Sequence, residues 1–219
     1  MNLPSACIFD MDELLLASVP QWRAAIDLLL STLGENWTPE LAAKYQGRNA
    51  SDVACVIHSE FRPSLSVEEC QKILHDELLK RFADEELVPM PGAIECVRRL
   101  SQHFPLAVAS GSPLPVIEIA MERLGITSCF SAILSSESVA RGKPEPDVFL
   151  EAARLLDAEP ARCVVFEDSL AGVRAARAAG MKVVVVPSAY DQEEVEKQAN
   201  KVLGSLDEVD LDTLRMFPN

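Results

Sequence analysis

Short, continuously apolar runs recur along the chain and alternate with segments of helical periodicity. Parallel strands that are covered by helices on both faces show such runs, because neither face meets water. The pattern predicts four clear strands, a weaker fifth and a possible sixth: Ala6–Phe9, Leu106–Ala109, Cys163–Phe166 and Val183–Val186, then Ala132–Leu134, then Val202–Leu203. Repeated strand–helix–strand units indicate an α/β fold with a doubly wound parallel sheet and right-handed crossovers.

Two of the helices between these strands have recognisable ends. Ser112 followed by Pro113 is typical of an N-cap and a first-turn proline, and Gly125 is typical of the residue that follows a helix. The run Leu170–Ala179 is followed by Gly180 in the same way. These ends support the assignment of helices to the connections between strands.

The segment after the first strand breaks the alternation, because it shows helical patterns only. It predicts the helices Gln21–Leu33, Ser51–Phe61 and Val67–Phe82, the last with a capping box from Ser66 to Glu69. The α/β pattern returns at Pro89. We therefore expect an α/β core domain made of residues 1–14 and 89–219, and a helical insert of residues 15–88.

Composition and charge narrow the class of protein. The 219 residues are 48% apolar and 25% charged, which is ordinary for a globular protein, and can bury a full core. The net charge of −14 argues against a nucleic-acid partner, but a small anionic substrate needs only a few local cations.

The sequence also bears on where the protein works. The first 16 residues contain three acidic residues and no basic one, so they do not resemble a secretory signal, and no apolar run is long enough to span a membrane. Several of the six cysteines lie in apolar segments and none forms a C-x-x-C pair, which favours reduced core residues over disulfides or a zinc site. We expect a cytoplasmic protein with no membrane partner.

Polar side chains cluster where the predicted strands end. Ligands of open parallel sheets bind beyond the carboxyl ends of the strands. Four short segments would meet on that rim: Asp10-Met11-Asp12, Ser110-Gly111-Ser112, Arg141-Gly142-Lys143-Pro144 and Glu167-Asp168-Ser169. Such a rim would bring together several carboxylates, a hydroxyl and an ammonium group.

This collection of groups suits phosphoryl transfer. Clustered carboxylates repel one another and therefore need a cation, and oxygen ligands suit Mg²⁺. A metal ion, a lysine and hydroxyl or amide donors can hold a phosphoryl group, which a carboxylate can then attack to give an aspartyl-phosphate. A second carboxylate can protonate the leaving oxygen and later deprotonate water.

Together these segments resemble the haloacid dehalogenase superfamily, in its subgroup of β-phosphoglucomutase-like sugar-phosphate phosphatases. Four motifs carry the resemblance in order along the chain: Ile8–Asp12, Ala109–Ser112, Gly142–Asp147, and Phe166–Gly172 with Ala178–Gly180. The resemblance covers essentially the whole chain. It implies a Rossmann-like, three-layer α/β/α core with an inserted helical cap domain.

The resemblance also implies roles for the rim residues. Asp10 would be the nucleophile and Asp12 the general acid and base. Ser110, Gly111 and Lys143 would hold the phosphoryl oxygens, and Lys143 would also offset carboxylate charge. The implied reaction is hydrolysis of a small phosphorylated metabolite, such as a sugar phosphate, by a protein that works as a monomer.

The metal site follows from the same resemblance. Asp10, Asp168 and the backbone carbonyl of Asp12 would bind Mg²⁺, and Glu167 belongs to the same motif, acting directly or through water. The helical insert would close over the site and shape substrate choice. Its expected substrate residues are Trp22, Gln46, Gly47 and Arg48.

The chain departs from the resembled family at the join between core and insert. The family usually has glycine where this chain has Glu13, an acidic residue at Ala17, and a Ser-Glu pair at Ser18-Val19. These changes keep a non-catalytic, ligand-sensing protein as one alternative.

A sugar-phosphate mutase is the other alternative. The mutases of this type use a histidine on the first cap helix and an arginine after the cap glycine. Those positions are Trp22 and Ala50 here, which cannot do the same work, although Arg48 could replace the arginine.

Overall fold

The computed structural model describes residues 3–45, 47–187 and 192–215. Its strands are β1 (Ala6–Phe9), β2 (Leu16–Ala17), β3 (Val88–Pro89), β4 (Leu106–Ser110), β5 (Ala132–Ser135), β6 (Cys163–Glu167), β7 (Lys182–Val185) and β8 (Lys201–Val202). Its helices are α1 (Val19–Thr32), α2 (Pro39–Tyr45), α3 (Ala50–Phe61), α4 (Val67–Asp84), α5 (Ala93–Leu100), α6 (Leu114–Arg123), α7 (Asp147–Leu155), α8 (Leu170–Ala178), α9 (Gln192–Gln198) and α10 (Leu211–Arg215).

The main sheet has six parallel strands in the order β5-β4-β1-β6-β7-β8. All six predicted strands are confirmed, each with its ends shifted by no more than one residue. Alternate residues along each strand face opposite layers of helix. On β1, Cys7 and Phe9 pack with α5 and α6, whereas Ala6 and Ile8 pack with α7 and α8. The predicted α/β fold with a doubly wound parallel sheet is confirmed.

Helices α1–α4 lie in the helical insert, where α1 and α3 both pack against α4. The predicted capping box is present, because Ser66 and Glu69 each bond the backbone amide of the other. The expectation that the insert contains only helices is wrong at its two ends. There β2 and β3 pair antiparallel, with Leu16 opposite Pro89 and Ala17 opposite Val88, so that both connections leave the core side by side.

A second correction concerns Ser112, which was expected to cap α6. The helix begins at Leu114 with Pro113 as its N-cap, and no side chain caps it. The Ser112 hydroxyl instead donates to Asp12 Oδ2 at 2.9 Å. A serine before a proline predicts a helix start, but here the Ser112 hydroxyl bonds a carboxylate and does not cap the helix.

All six cysteines are free thiols. Cys7, Cys70, Cys96 and Cys163 are buried, Cys129 is half-buried and Cys55, on α3, is exposed. The prediction of reduced core cysteines is thus confirmed for four of the six. Among the described residues, no helix combines the length and apolar character that a bilayer span requires.

Candidate active site

The rim residues meet because of the strand order. β1 lies between β4 and β6, so the segments that follow these three strands end side by side at one edge of the sheet. This is the point where the order of the strands reverses along the sheet, which is where open α/β sheets bind ligands. The Asp10 amide donates to the carbonyl of Phe166 at 3.0 Å, which ties the end of β1 to β6.

Lys143 joins two of the predicted carboxylates. Its Nζ atom lies 2.5 Å from Asp10 Oδ1 and 2.7 Å from Glu167 Oε1. Lys143 and Asp10 are each only 6% exposed and Glu167 is fully buried. Burial alone disfavours a charged lysine, but the two carboxylates outweigh it and raise the pKa of Lys143.

Glu167 is fixed by several further contacts. Its Oε2 atom accepts hydrogen bonds from the amides of Asp168 and Ser169 and from the Ser169 hydroxyl, each at 2.9 Å. A Cβ atom on Gly172 would lie 1.6 Å from Glu167 Oε1, so only glycine leaves room for this carboxylate. The space that the Glu167 carboxylate occupies therefore explains why the fourth motif has glycine at this position.

Asp10, Glu167 and Asp168 form a buried group with ligand atoms that all lie within 4.8 Å of one another. Burial raises the pKa of the Asp10 carboxyl well above its ordinary value; Lys143 opposes this rise, and the charges of Glu167 and Asp12 add to it. Three carboxylates share one ammonium group here, so a further cation is needed if all of them are to carry charge. An all-oxygen donor set of this kind fits Mg²⁺.

Asp12 lies beside this group and accepts four hydrogen bonds. Its Oδ1 atom accepts from the Ser18 hydroxyl at 2.6 Å and from the Trp22 indole N–H at 3.0 Å. Its Oδ2 atom accepts from the hydroxyls of Ser110 and Ser112, both at 2.9 Å. The carboxylate is therefore oriented by the helical insert on one side and by the loop after β4 on the other.

The predicted phosphate ligands lie at the same edge of the sheet. Ser110 is fully buried, and its hydroxyl both donates to Asp12 and accepts the Ser112 amide at 3.0 Å. Gly111 and Lys143 line the pocket above the carboxylates. Gly111 thus lines the same pocket as the candidate nucleophile Asp10, whereas Ser110 is not among the lining residues and bonds Asp12.

The pocket has a volume of about 260 Å³ and extends from the carboxylates to the helical insert. Trp22, Gly47 and Arg48 line it, together with Trp37 and Tyr45. Gln46, the remaining predicted substrate residue, lies outside the described residues. The insert therefore contributes three aromatic side chains to the wall.

Sequence reasoning missed part of this wall. The Trp37 indole N–H donates to the Tyr45 hydroxyl at 2.8 Å, and the Arg23 guanidinium lies 3.8 Å from the centre of the Trp37 ring. Arg23 also pairs with Asp27 on α1. The scarcity of aromatic residues, 5% of the chain, is a signal that could have drawn attention to these two rings.

Glycines allow the insert to lie directly on the core. A Cβ atom on Gly47 would approach Ala171 to 2.9 Å, one on Gly111 would approach the Arg48 carbonyl oxygen to 3.1 Å, and one on Gly142 would approach the Asn49 side chain to 2.6 Å. The Ala50 amide also donates to the Gly111 carbonyl at 3.2 Å. The loop before α3 thus closes one side of the pocket by backbone contact.

Residues 4–180 match the family model described as haloacid dehalogenase-like hydrolase. The chain belongs to this hydrolase family. The match spans the rim motifs and the helical insert together, so it covers every residue of the site. The predicted family and the predicted class of enzyme, a phosphatase, are confirmed for this haloacid dehalogenase-like hydrolase.

Relatives of this hydrolase include three named phosphatases. It is 33% identical over 221 residues to a bifunctional riboflavin kinase/FMN phosphatase of Arabidopsis thaliana, covering 99% of this chain but only 57% of that protein. It is 34% identical over 210 residues to a probable pseudouridine-5'-phosphatase of Drosophila melanogaster, covering 91% and 89%. It is 31% identical over 183 residues to the fructose-1-phosphate phosphatase YqaB of Escherichia coli, covering 82% and 94%.

A solved structure shares the same architecture. The crystal structure of CbbY from Rhodobacter sphaeroides in complex with phosphate superposes on the hydrolase with a TM-score of 0.87 at 27% identity. The comparison covers 98% of this chain and 100% of that one. The arrangement of core and insert is thus shared with a protein that binds phosphate.

Proposed function

We propose that the chain is a Mg²⁺-dependent phosphatase of a small phosphorylated metabolite, with Asp10 as its nucleophile. The observation that carries the proposal is the buried group of Asp10, Glu167 and Asp168 joined to Lys143 at the base of a pocket. Buried carboxylates at such spacing are costly unless a cation or a reacting group uses them.

The metal would be held by Asp10, Asp168 and the backbone carbonyl of Asp12, with Glu167 acting directly or through water. Bound there, Mg²⁺ would neutralise phosphoryl charge and keep Asp10 ionised. Lys143 would contribute a second positive charge to the phosphoryl oxygens, next to the Gly111 backbone and the Ser110 hydroxyl.

Two chemical steps follow from this arrangement. A carboxylate oxygen of Asp10 forms a bond to phosphorus as the ester P–O bond breaks, and Asp12, which must enter this step protonated, gives its proton to the leaving oxygen. Asp12, now ionised, then takes a proton from water as that water attacks the aspartyl-phosphate. Inorganic phosphate leaves, and Asp10 and Asp12 return to their starting states.

We assign the chemistry to residues 1–14 and 89–219 and substrate choice to the helical insert. Trp22, Gln46, Gly47 and Arg48 would contact the part of the substrate beyond the phosphate. A pocket of about 260 Å³ suits a single small metabolite, and a sugar phosphate is our first candidate. Because one chain supplies both walls, we propose that a monomer is active, and a cytoplasmic location remains our prediction.

The test is hydrolysis by the purified protein of a panel that includes sugar phosphates, nucleoside monophosphates, FMN and a generic aryl phosphate. We expect Mg²⁺-dependent phosphate release from at least one metabolite and its loss in excess EDTA. Full hydrolysis after exhaustive metal removal would refute the metal assignment. No turnover of any ester, in protein with intact Mg²⁺ binding, would favour a non-catalytic, ligand-sensing protein.

A mutase is the second candidate, supported by the exposed Arg48 at the pocket wall, which offers a cation to a second phosphate. Trp22 argues against it, because its indole donates to Asp12 and cannot serve as a base. Supplied with β-glucose 1-phosphate and a trace of the 1,6-bisphosphate, the protein should release phosphate. Stoichiometric glucose 6-phosphate with little free phosphate would establish the mutase instead.

A further inference from the structure

We propose that Glu13 is a positioning residue that fastens the start of α1 to the loop after β1 and thereby aligns Asp12. The inference rests on the proposed function for its catalytic consequence, but its structural part stands on contacts of this chain alone. Glu13 takes no part in the assignments above.

The backbone of Glu13 adopts the left-handed conformation, with φ of 59°, which non-glycine residues rarely occupy. Its amide donates to the Leu16 carbonyl at 2.8 Å, which closes a tight loop after β1. This loop turns the Glu13 side chain towards α1. There Oε1 accepts hydrogen bonds from the amides of Ser18 at 2.8 Å and Val19 at 3.0 Å.

These two amides are donors that the first turn of a helix leaves without a backbone partner. The next residue, Pro20, has no amide hydrogen. A carboxylate at this end is also favoured by the helix dipole. Glu13 therefore caps α1 from outside the helix, as a link between the core loop and the helical insert.

The Ser18 side chain contacts Asp12 and does not cap its own helix. Ser18 is the N-cap residue of α1, yet its side chain makes no capping hydrogen bond. Its hydroxyl donates to Asp12 instead, and Trp22, one turn further along the same helix face, donates to the same Asp12 oxygen. Holding the start of α1 thus holds two of the four donors that orient Asp12.

These contacts connect two of the positions at which the sequence departs from the resembled family. Glu13, Ala17 and Val19 are the departures from the resembled family at the join between core and insert. The Glu13 carboxylate reaches the amide of Val19 itself, so the acidic group at this helix end comes from the core loop.

The structural test uses the two tryptophans of the chain, Trp22 and Trp37. In ¹⁵N-labelled protein their indole N–H groups give two NMR signals. Glu13→Gly keeps the left-handed backbone accessible and removes the carboxylate. We expect this variant to shift the Trp22 signal and to speed amide exchange at Ser18 and Val19, while the Trp37 signal stays in place. An unmoved Trp22 signal would overturn the proposal, whether or not the protein is active.

The kinetic test compares two esters. Proton donation by Asp12 matters for an alkyl phosphate, whereas p-nitrophenolate leaves without protonation. We expect Glu13→Gly to slow turnover of the alkyl ester about 10-fold and to leave first-turnover nitrophenolate release within about 3-fold. Glu13→Gln keeps an oxygen acceptor and should restore both rates to within about 3-fold of the unmodified protein. Equal losses on both esters, or no rescue by glutamine, would contradict the alignment role.

Glu137→Ala is the matched control. Glu137 Oε1 accepts the Ser51 amide at 2.8 Å, near the start of α3, and lies 2.9 Å from His75 Nε2, so it too links core and insert, but it has no contact with Asp12. Its loss should affect both esters alike and leave the Trp22 signal unchanged. A selective loss in this variant would show a general loosening of the insert and refute the specific role of Glu13. If Glu13→Gly does not fold, Glu13→Asp replaces it, because aspartate tolerates this backbone but is one methylene too short.

Discussion

The rim of the main sheet and the wall from the helical insert face each other across one pocket but hold their side chains differently. On the rim, Asp10 and Glu167 are buried and both pair with the buried Lys143. On the insert, Trp37 and Tyr45 are half-buried and meet through one hydrogen bond.

This difference separates the residues that we expect to catalyse the reaction from those that we expect to select the substrate. The Lys143 ammonium lies 2.5–2.7 Å from the two carboxylates, so substitutions here should be poorly tolerated. Removing one partner would leave the others unpaired in a buried site. The aromatic side chains of the insert are only half-buried, so exchanging them should cost less. We therefore expect changes at the rim to abolish rates and changes in the insert to alter preferences.

The largest effect should come from Asp10→Asn, because an amide is a poor nucleophile and cannot form the acyl phosphate. We expect phosphate release to fall by at least about 10⁴-fold. The thermal unfolding curve and Lys143–Glu167 pairing should persist, since asparagine has nearly the same shape. Mass spectrometry must exclude deamidation back to aspartate. A rate within about 10-fold of normal would remove Asp10 from the role of nucleophile.

A smaller loss should follow from Asp12→Asn, which removes the general acid and base. We expect a decrease of about 10²–10⁴-fold on an alkyl phosphate ester. Ser112→Ala is the control, because it removes one hydrogen bond to Asp12 without removing the proton-transfer group, and should cost less than about 10-fold. If the two variants lost activity equally, the role of Asp12 would be orientation of the loop alone.

The smallest effect should come from Arg48→Ala in the insert. We expect KM to rise several-fold for some metabolites and not others, with kcat changed by less than about 3-fold, because the side chain binds substrate and transition state alike. Lys80→Ala is the matched control, since Lys80 is exposed on α4 and does not line the pocket. A uniform loss of kcat across the panel would assign Arg48 to catalysis and contradict the proposed division of roles between rim and insert.

The rim could be predicted from the sequence because each part of it is local. A buried strand is a continuous apolar run, and the residues after it fall at the sheet edge by topology alone. Asp10 and Asp168 follow strands in this way, whereas Lys143 lies eight residues after the end of β5 and was singled out by its Gly-Lys-Pro motif. The strands β2 and β3 could not be found, because two residues have no periodicity and their pairing joins positions about 70 residues apart.

The sequence also could not predict the hydrogen-bond partners of several polar side chains. Ser112 has the sequence context of a helix cap, and only the fold shows that its hydroxyl group donates to Asp12. The same holds for Glu13. Its contacts with the amides of Ser18 and Val19 depend on a left-handed backbone conformation that the sequence pattern does not predict. Partner choice in such places is decided by tertiary distance.

The distribution of the six thiols makes one residue of the insert suitable for chemical labelling. Cys55 is the exposed one, and it lies on α3, whereas four others are buried and Cys129 is half-covered. Partial burial raises the pKa of the Cys55 thiol, so mildly alkaline conditions would favour its reaction. A maleimide dye attached there would place a reporter on the insert without any substitution, and a change in its emission on substrate addition would test whether the insert moves.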